Sequence, residues 1–86
     1  MKEIMYPTQG TCSRLIHVVL TDDGTIQDVQ FMGGCMGNLQ GIAALVRGQK
    51  ATDVIGRVRG INCGGKGTSC PDQLSRALAQ ALQANL

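Results

Sequence analysis

The sequence predicts an α+β fold, in which a three-stranded antiparallel meander is followed by about three helices packed on one face. Three observations predict this class. Alternating, β-branched segments occupy the first third of the chain, and an Asp-Gly pair at residues 23–24 marks a hairpin turn. The remainder places apolar residues at helical spacing. With 86 residues, the chain is expected to form a single domain over residues 1–86.

Three strands are expected at residues 2–8, 14–20 and about 25–31. Pro7 fits the end of the first strand, because proline is tolerated at edges and strand ends. The exposed first strand could also pair with a second copy of the chain, which makes a homodimer possible. The side chains expected on the inner face are Ile4, Tyr6, Ile16, Val18, Leu20, Val29 and Phe31.

Three helices are expected over residues 38–48, 52–60 and 71–85. Asn38 and Thr52 are expected to cap the first two helices, because their side chains accept hydrogen bonds from unpaired backbone N–H groups. Glycines at the ends of these two segments allow the backbone to leave the helix. The apolar stripe of the last helix consists of Leu74, Ala77, Leu78, Ala81 and Leu82.

A glycine-rich segment, Cys63-Gly64-Gly65-Lys66-Gly67-Thr68-Ser69-Cys70-Pro71, runs directly into the last helix. Pro71 suits the first helical position, since its missing N–H would have no partner there. Cys70 is therefore expected at the N-cap, beside the positive end of the helix dipole. A thiol in that position loses its proton more easily than a free cysteine.

The four cysteines are Cys12, Cys35, Cys63 and Cys70, each at a loop or at the end of an element. Loop ends lie close together in a small domain, so the thiols could converge at one end of the sheet. Four thiolates suit tetrahedral zinc or an iron–sulfur cluster. None of the spacings is a C-x₂-C knuckle, however. Two alternatives remain open: a redox pair formed by Cys63 and Cys70, and a structural or protein-interaction domain whose thiols are inert and buried.

Composition argues against several classes of function. The net charge is +2, with no basic run, which argues against nucleic-acid binding. No segment has the length and apolar character of a membrane span, and the start does not resemble a signal peptide, so a cytoplasmic location is expected. No paired carboxylates accompany the glycine loops, which leaves catalysis by this chain alone uncertain.

The segment Thr68-Ser69-Cys70-Pro71-Asp72 spells the name of the TSCPD domain family, and the resemblance extends over almost the whole chain. Cys12-Ser13-Arg14, Gly33-Gly34-Cys35, the Gly37–Gly41 segment and Cys63-Gly64 are similar to that family. The chain resembles the small stand-alone members of the family, and the resemblance implies a cysteine-bearing accessory module that could serve a larger enzyme. The same domain is found at the C-terminus of cobalamin-dependent ribonucleotide reductases, but this chain lacks the barrel that carries their radical chemistry. A reductase label transferred by similarity would describe that missing part.

The order of elements also resembles the U-type iron–sulfur scaffold proteins (an IscU/NifU-like layout), which hold zinc or a nascent cluster. Cys12, Cys35 and Cys70 match the scaffold cysteines. Ser13 follows Cys12 where the scaffold has an acidic residue, and Ser69 stands where the scaffold has a histidine. Cys63 is an additional thiol that could act as the fourth ligand. This resemblance implies iron–sulfur machinery as a possible partner, whereas the departures from the scaffold pattern fit a more closed metal site better than transient cluster assembly.

Overall fold

The computed structural model of the protein describes residues 1–8, 14–33, 36–62 and 67–83. Three strands form one antiparallel sheet in the order β1-β2-β3, with β1 at Lys2–Pro7, β2 at Leu15–Leu20 and β3 at Ile26–Met32. The bounds differ from the expected ones by one residue at most. The predicted meander is therefore confirmed.

The inner face of the sheet consists of cross-strand apolar rows. Val18 lies opposite Ile4 on β1 and Val29 on β3, and Ile16 lies opposite Tyr6 and Phe31 in the next row. The central residues of both rows are fully buried. Because side chains alternate across a strand, this register buries one apolar set and leaves its neighbours on the outer face.

Residues 21–25 form the predicted hairpin turn between β2 and β3. Gly24 has φ +85°, a conformation that glycine adopts without a Cβ clash, and its N–H donates to the Thr21 carbonyl at 3.0 Å. The Asp23 carboxylate accepts hydrogen bonds from the Thr21 hydroxyl, the Lys50 ammonium and the Thr25 N–H, which hold the pKa of Asp23 below its usual value. The turn is thus tied to the segment between the first two helices.

Ile26 is fully buried although it lies three residues before Val29, a spacing that an uninterrupted strand cannot place on one face. The pairing shifts register between Val19 and Leu20, so that Leu20 lies opposite Ile26 while Val19 lies opposite Asp28. One extra residue on β3 therefore returns Ile26 to the inner face. Sequence alternation alone does not reveal this shift.

The helices are α1 at Met36–Val46, α2 at Ala51–Val58 and α3 at Cys70–Gln83. The predicted caps of α1 and α2 are wrong. Asn38 lies in the first turn of α1, and Thr52 is the second residue of α2, whose N-cap is Lys50. The Ala51 N–H donates to the Gly24 carbonyl at 2.9 Å, so the hairpin backbone supplies an acceptor at this helix start.

The predicted glycine terminators are confirmed. Gly48 and Gly60 follow the ends of α1 and α2 with φ of +84° and +83°. The expected end of α3 at about Asn85 lies outside the described residues.

The helices cover the inner face of the sheet. α1 packs against β3, α3 lies across β1 and β2, and α2 packs against α3. The predicted stripe of α3 is buried from Leu74 to Ala81, with Leu82 partly buried beside it. The buried apolar residues form one cluster: Ile16, Val18, Leu20, Ile26, Val29, Phe31, Leu39, Ala43, Val46, Ala51, Val54, Leu74, Ala77, Leu78 and Ala81.

Candidate functional site

The elements run between two ends of the fold that differ in composition. At one end, the β2–β3 turn meets the α1–α2 connection, where the Gly48 N–H donates to the Ile26 carbonyl at 2.8 Å. The last turn of α3 lies at the same end, because the Lys2 ammonium donates to the Leu82 carbonyl at 2.9 Å. We call this the turn end. Its two connections, residues 21–25 and 47–50, contain no cysteine.

At the opposite end, β1 and β3 finish and β2 begins. The Thr8 N–H donates to the Arg14 carbonyl at 3.1 Å, and the Arg14 N–H donates to the Met32 carbonyl at 2.7 Å. Residues 8 and 14 flank the segment that contains Cys12, and Gly33 precedes the segment that contains Cys35. Both segments therefore leave the sheet from adjacent positions.

The start of α3 lies at this second end as well. Because the C-terminal turn of α3 lies beside Lys2, where β1 begins, its first turn lies toward Pro7, where β1 ends. The connection from α2 to α3 is held by two side chains: the Gly60 N–H donates to Asp72 Oδ1 and the Gly67 N–H donates to Asn62 Oδ1, each at 2.7 Å. Cys63 lies within this connection in the sequence.

We call this end the cysteine pole and define it by residues 7–8, 14–15, 32–33, 58–62 and 67–72. Of the four predicted ligands, the structure describes Cys70, the first residue of α3, whose side chain is partly exposed and packs at the edge of the core. Cys12, Cys35 and Cys63 lie outside the described residues. Among the described residues, no three histidine, cysteine or acidic side chains cluster as a metal site would.

The cap of α3 is Ser69 and not Cys70, which corrects the expectation from the sequence. Ser69 Oγ accepts the Asp72 N–H at 3.1 Å, and the Ser69 carbonyl accepts the Gln73 N–H at 2.8 Å. Serine is among the preferred N-cap residues because its short side chain reaches these N–H groups. Cys70 thus lies one residue inside the helix, still at the positive end of its dipole.

A buried polar network lies at the start of α3, on both sides of Cys70 in the sequence, and sequence reasoning missed it. Asp72, which is only 5% exposed, accepts the Gly60 N–H at 2.7 Å and the Thr68 hydroxyl at 2.5 Å. Thr68 Oγ1 also accepts the Gln73 Nε2 amide at 2.9 Å, and the Ser75 hydroxyl donates to the Asp72 carbonyl at 2.6 Å. The network joins the end of α2, the segment before α3 and the first turn of α3.

The electrostatics of Asp72 favour its charged form. The Thr68 hydroxyl, the Gly60 N–H and the nearby Arg76 guanidinium, at 3.2 Å from Oδ2, hold the pKa of Asp72 below its usual value, although burial acts in the opposite direction. The sequence carried one signal of this role: an acid in the first turn, four residues after a threonine in the same motif. The favourable interaction of an acid with the helix dipole explains only part of the role of Asp72.

The histidine of this chain, His17, forms a polar pair on the sheet. It is a strand residue, and its Nε2 lies 2.7 Å from Glu3 Oε1 on the neighbouring strand. This contact is a cross-strand polar pair of the kind that stabilises sheets.

Comparisons with known proteins place the chain in a family. No curated protein and no solved structure matches the sequence. None of the helices in the described part of the chain has the length and apolar character that a membrane span requires. The model of the TSCPD domain matches residues 2–82, which is nearly the whole chain. The motif residues Thr68, Ser69 and Asp72 take part in the buried network at the start of α3. Because the family model covers nearly the whole chain, the chain belongs to the TSCPD domain family.

Proposed function

We propose that the chain is a small accessory module that binds a metal, either zinc or an iron–sulfur cluster, through Cys12, Cys35, Cys63 and Cys70. One observation carries the proposal: the described residues that flank the cysteine-bearing connections lie at one end of the fold, whereas the two connections at the other end contain no cysteine. A shared metal site requires its ligands at one end, whereas inert thiols need no common location.

The flanking residues support a shared site. Cys12 precedes Arg14 by two residues, and Cys35 follows Gly33 by two residues. A Cβ placed on Gly33 would lie 3.2 Å from Cγ of Arg14, so these two flanking residues are neighbours in space. Cys63 follows Asn62, whose side chain is bonded across the connection to Gly67. A set of four thiolates suits the soft, tetrahedral coordination of zinc or of cluster iron.

The charges around the cysteine pole favour thiolates. The N-terminal ends of α1 and α3 both point toward this pole, and each contributes a partial positive charge. Arg14 and Arg59 are exposed there, and Arg76 lies nearly two turns into α3. The acid at this end, Asp72, is already paired with Arg76. A site that gathers several thiolates is stabilised by this surplus of positive charge.

In this proposal, the buried network holds one ligand in place. Ser69 and Thr68 immediately precede Cys70, and both are fixed by bonds to Asp72. A bound metal would cross-link the connections that contain Cys12, Cys35 and Cys63 to the start of α3. Such a cross-link would stabilise a domain with a small core. Residues that orient a ligand in this way are a regular part of metal sites.

Cobalt(II) substitution tests the site, because cobalt in a tetrahedral thiolate environment gives intense visible bands. The wild-type chain is expected to give these bands with one cobalt per chain. Cys70→Ser is expected to weaken or shift them. Thr52→Ala is the control, because it also alters the first turn of a helix but lies at the turn end and keeps every thiol. Equal loss in both variants, or no thiolate bands in the wild type, would contradict the proposal.

A thiol redox module that uses Cys63 and Cys70 is the second candidate, favoured by the partial exposure of Cys70 at a helix N-terminus. It requires the two Cα atoms to approach within about 7 Å. Thiol counting after mild oxidation distinguishes the two functions, because a metal site protects all four thiols whereas a redox pair loses two.

For the setting of this function, we propose the cytoplasm, where thiols remain reduced. The proposed partner is a larger enzyme or the iron–sulfur machinery. Pull-down with the metal-loaded and metal-free chain tests this assignment.

A further inference from the structure

A second surface of the molecule is unusually apolar for an exposed region. α1 and α2 enclose a groove of about 390 Å³, and we call it the α1–α2 groove. Its apolar wall consists of Ile42, Leu45, Val46, Val54, Val58 and Ile61. Leu45 is 78% exposed and Ile61 is 43% exposed, which is costly for large aliphatic side chains in water.

The groove carries one charge of each sign on the same helix. Asp53 and Arg57 both line it, and both are exposed. They lie four residues apart, so they share one face of α2 and are separated by about 6 Å along its axis. Within the described ranges, neither side chain forms an ion pair or a hydrogen bond.

This charge arrangement is complementary to itself. If two copies of α2 pack antiparallel about a two-fold axis midway between Asp53 and Arg57, each aspartate faces the arginine of the other copy. The same rotation brings the two apolar walls together, because a two-fold interface uses one patch twice. A partner with a single charge sign would leave Asp53 or Arg57 facing a like charge.

We propose that the α1–α2 groove is the contact surface for a second copy of this chain. In the dimer, Leu45 of each copy covers the apolar wall of the other, and two Asp53–Arg57 pairs fix the antiparallel orientation. Pro71, which follows Cys70, lines the same groove. The two cysteine poles would therefore lie beside the shared interface. This inference differs from edge pairing of β1 and does not depend on metal binding.

A charge-swap experiment tests the orientation directly. Sedimentation equilibrium, run from micromolar to millimolar protein, is expected to show a reversible dimer. Asp53→Arg and Arg57→Asp should each raise the dissociation constant about tenfold. Each substitution occurs in both copies and therefore turns both pairs across the interface into pairs of like charges. The double variant restores both pairs and should return the constant to within about threefold of the wild type.

Two further variants separate this surface from others. Leu45→Asp is expected to abolish the dimer without unfolding the chain, because its side chain is exposed. Met5→Asp is the matched control: this residue is 48% exposed on the outer face of the sheet, so the dimer should persist. A chain that stays monomeric throughout, or a dimer that survives both Leu45→Asp and the single charge reversals, would overturn the proposal. The second result would point to another interface, such as the β1 edge.

Discussion

Replacing Asp72 by alanine is expected to destabilise the fold by about 3–5 kcal/mol, as for the loss of one partner from a buried, hydrogen-bonded charge. The carboxylate accepts two bonds from buried or partly buried donors, Gly60 N–H and Thr68 O–H. Hydrogen bonds to a charged group contribute about 1.5–3 kcal/mol each. The ion pair with Arg76 adds at most about 1 kcal/mol, because that side chain is half exposed.

This loss is large relative to the total free energy of unfolding of the chain. At 0.05–0.15 kcal/mol per residue, a chain of this length has a free energy of unfolding of about 4–13 kcal/mol. Urea unfolding, followed by far-UV circular dichroism at neutral pH, measures the change as a lower midpoint with an unchanged slope. Asp53→Ala, measured in protein dilute enough to be monomeric, is the matched control, because Asp53 is also an acid in the first turn of a helix but is exposed. It should cost only about 0.3–1 kcal/mol.

A double-mutant cycle with Thr68→Val isolates the central bond. The two residues share one hydrogen bond, so their effects should be non-additive by about 0.5–3 kcal/mol. If Asp72→Ala costs no more than Asp53→Ala, or if the cycle shows no coupling, the network does not hold the start of α3 and the reasoning fails.

The same residue makes stability depend on pH, with a definite sign. Because the Thr68 hydroxyl, the Gly60 N–H and Arg76 lower the pKa of Asp72 in the folded state, the unfolded chain binds more protons as the pH falls. The contribution of Asp72 is complete above the unfolded pKa of about 3.9 and disappears as the pH falls through the folded value. Asp72→Asn should therefore flatten the acid limb of stability against pH. A residual slope remains, because the pKa values of Asp22 and Asp23 are also lowered.

Two matched pairs of variants test the packing and the turns by the same urea assay. Leu78→Ala should cost about 2–5 kcal/mol, because Leu78 is fully buried. In protein dilute enough to be monomeric, Leu45→Ala, at an exposed position, should change stability by less than about 0.5 kcal/mol, and equal effects of the two variants would contradict the described core. Gly48→Ala should cost about 1–2 kcal/mol because its φ is +84°, although nothing lies within 4 Å of the added Cβ. Gly41→Ala, inside α1 with equally open space, should stabilise by about 0.5–1 kcal/mol, so a shared sign would refute the backbone argument.

Much of the fold was predictable because its signals are local. The two-residue period of a strand placed Ile16, Val18 and Leu20 on one face of β2, and the Asp-Gly turn predicted its pairing with β3. Ile26 was not predicted, because its burial depends on the register shift opposite Leu20. Thr52 failed as a cap because the Gly24 carbonyl, distant in sequence, meets the start of α2. Contacts of this kind are set by tertiary packing and leave no local pattern.

The candidate site shows the same division. Its placement at element ends was predictable, since glycines and cysteines interrupt the periodic segments. The role of Asp72 was not, because the side chain reaches twelve residues back to Gly60. Assigning Cys70 to the cap failed for a different reason: Pro71 fits both of the first two helical positions, and only the Ser69 bonds distinguish them.

The most direct test of the central claim is the metal content of the chain purified without oxygen, measured together with its visible spectrum and a count of reactive thiols. The account predicts bound metal and four protected cysteines: one zinc per chain with a featureless spectrum, or iron and sulfide with a brown colour. Four reactive thiols with no metal, and no change on adding zinc or iron, would contradict a metal site formed by Cys12, Cys35, Cys63 and Cys70.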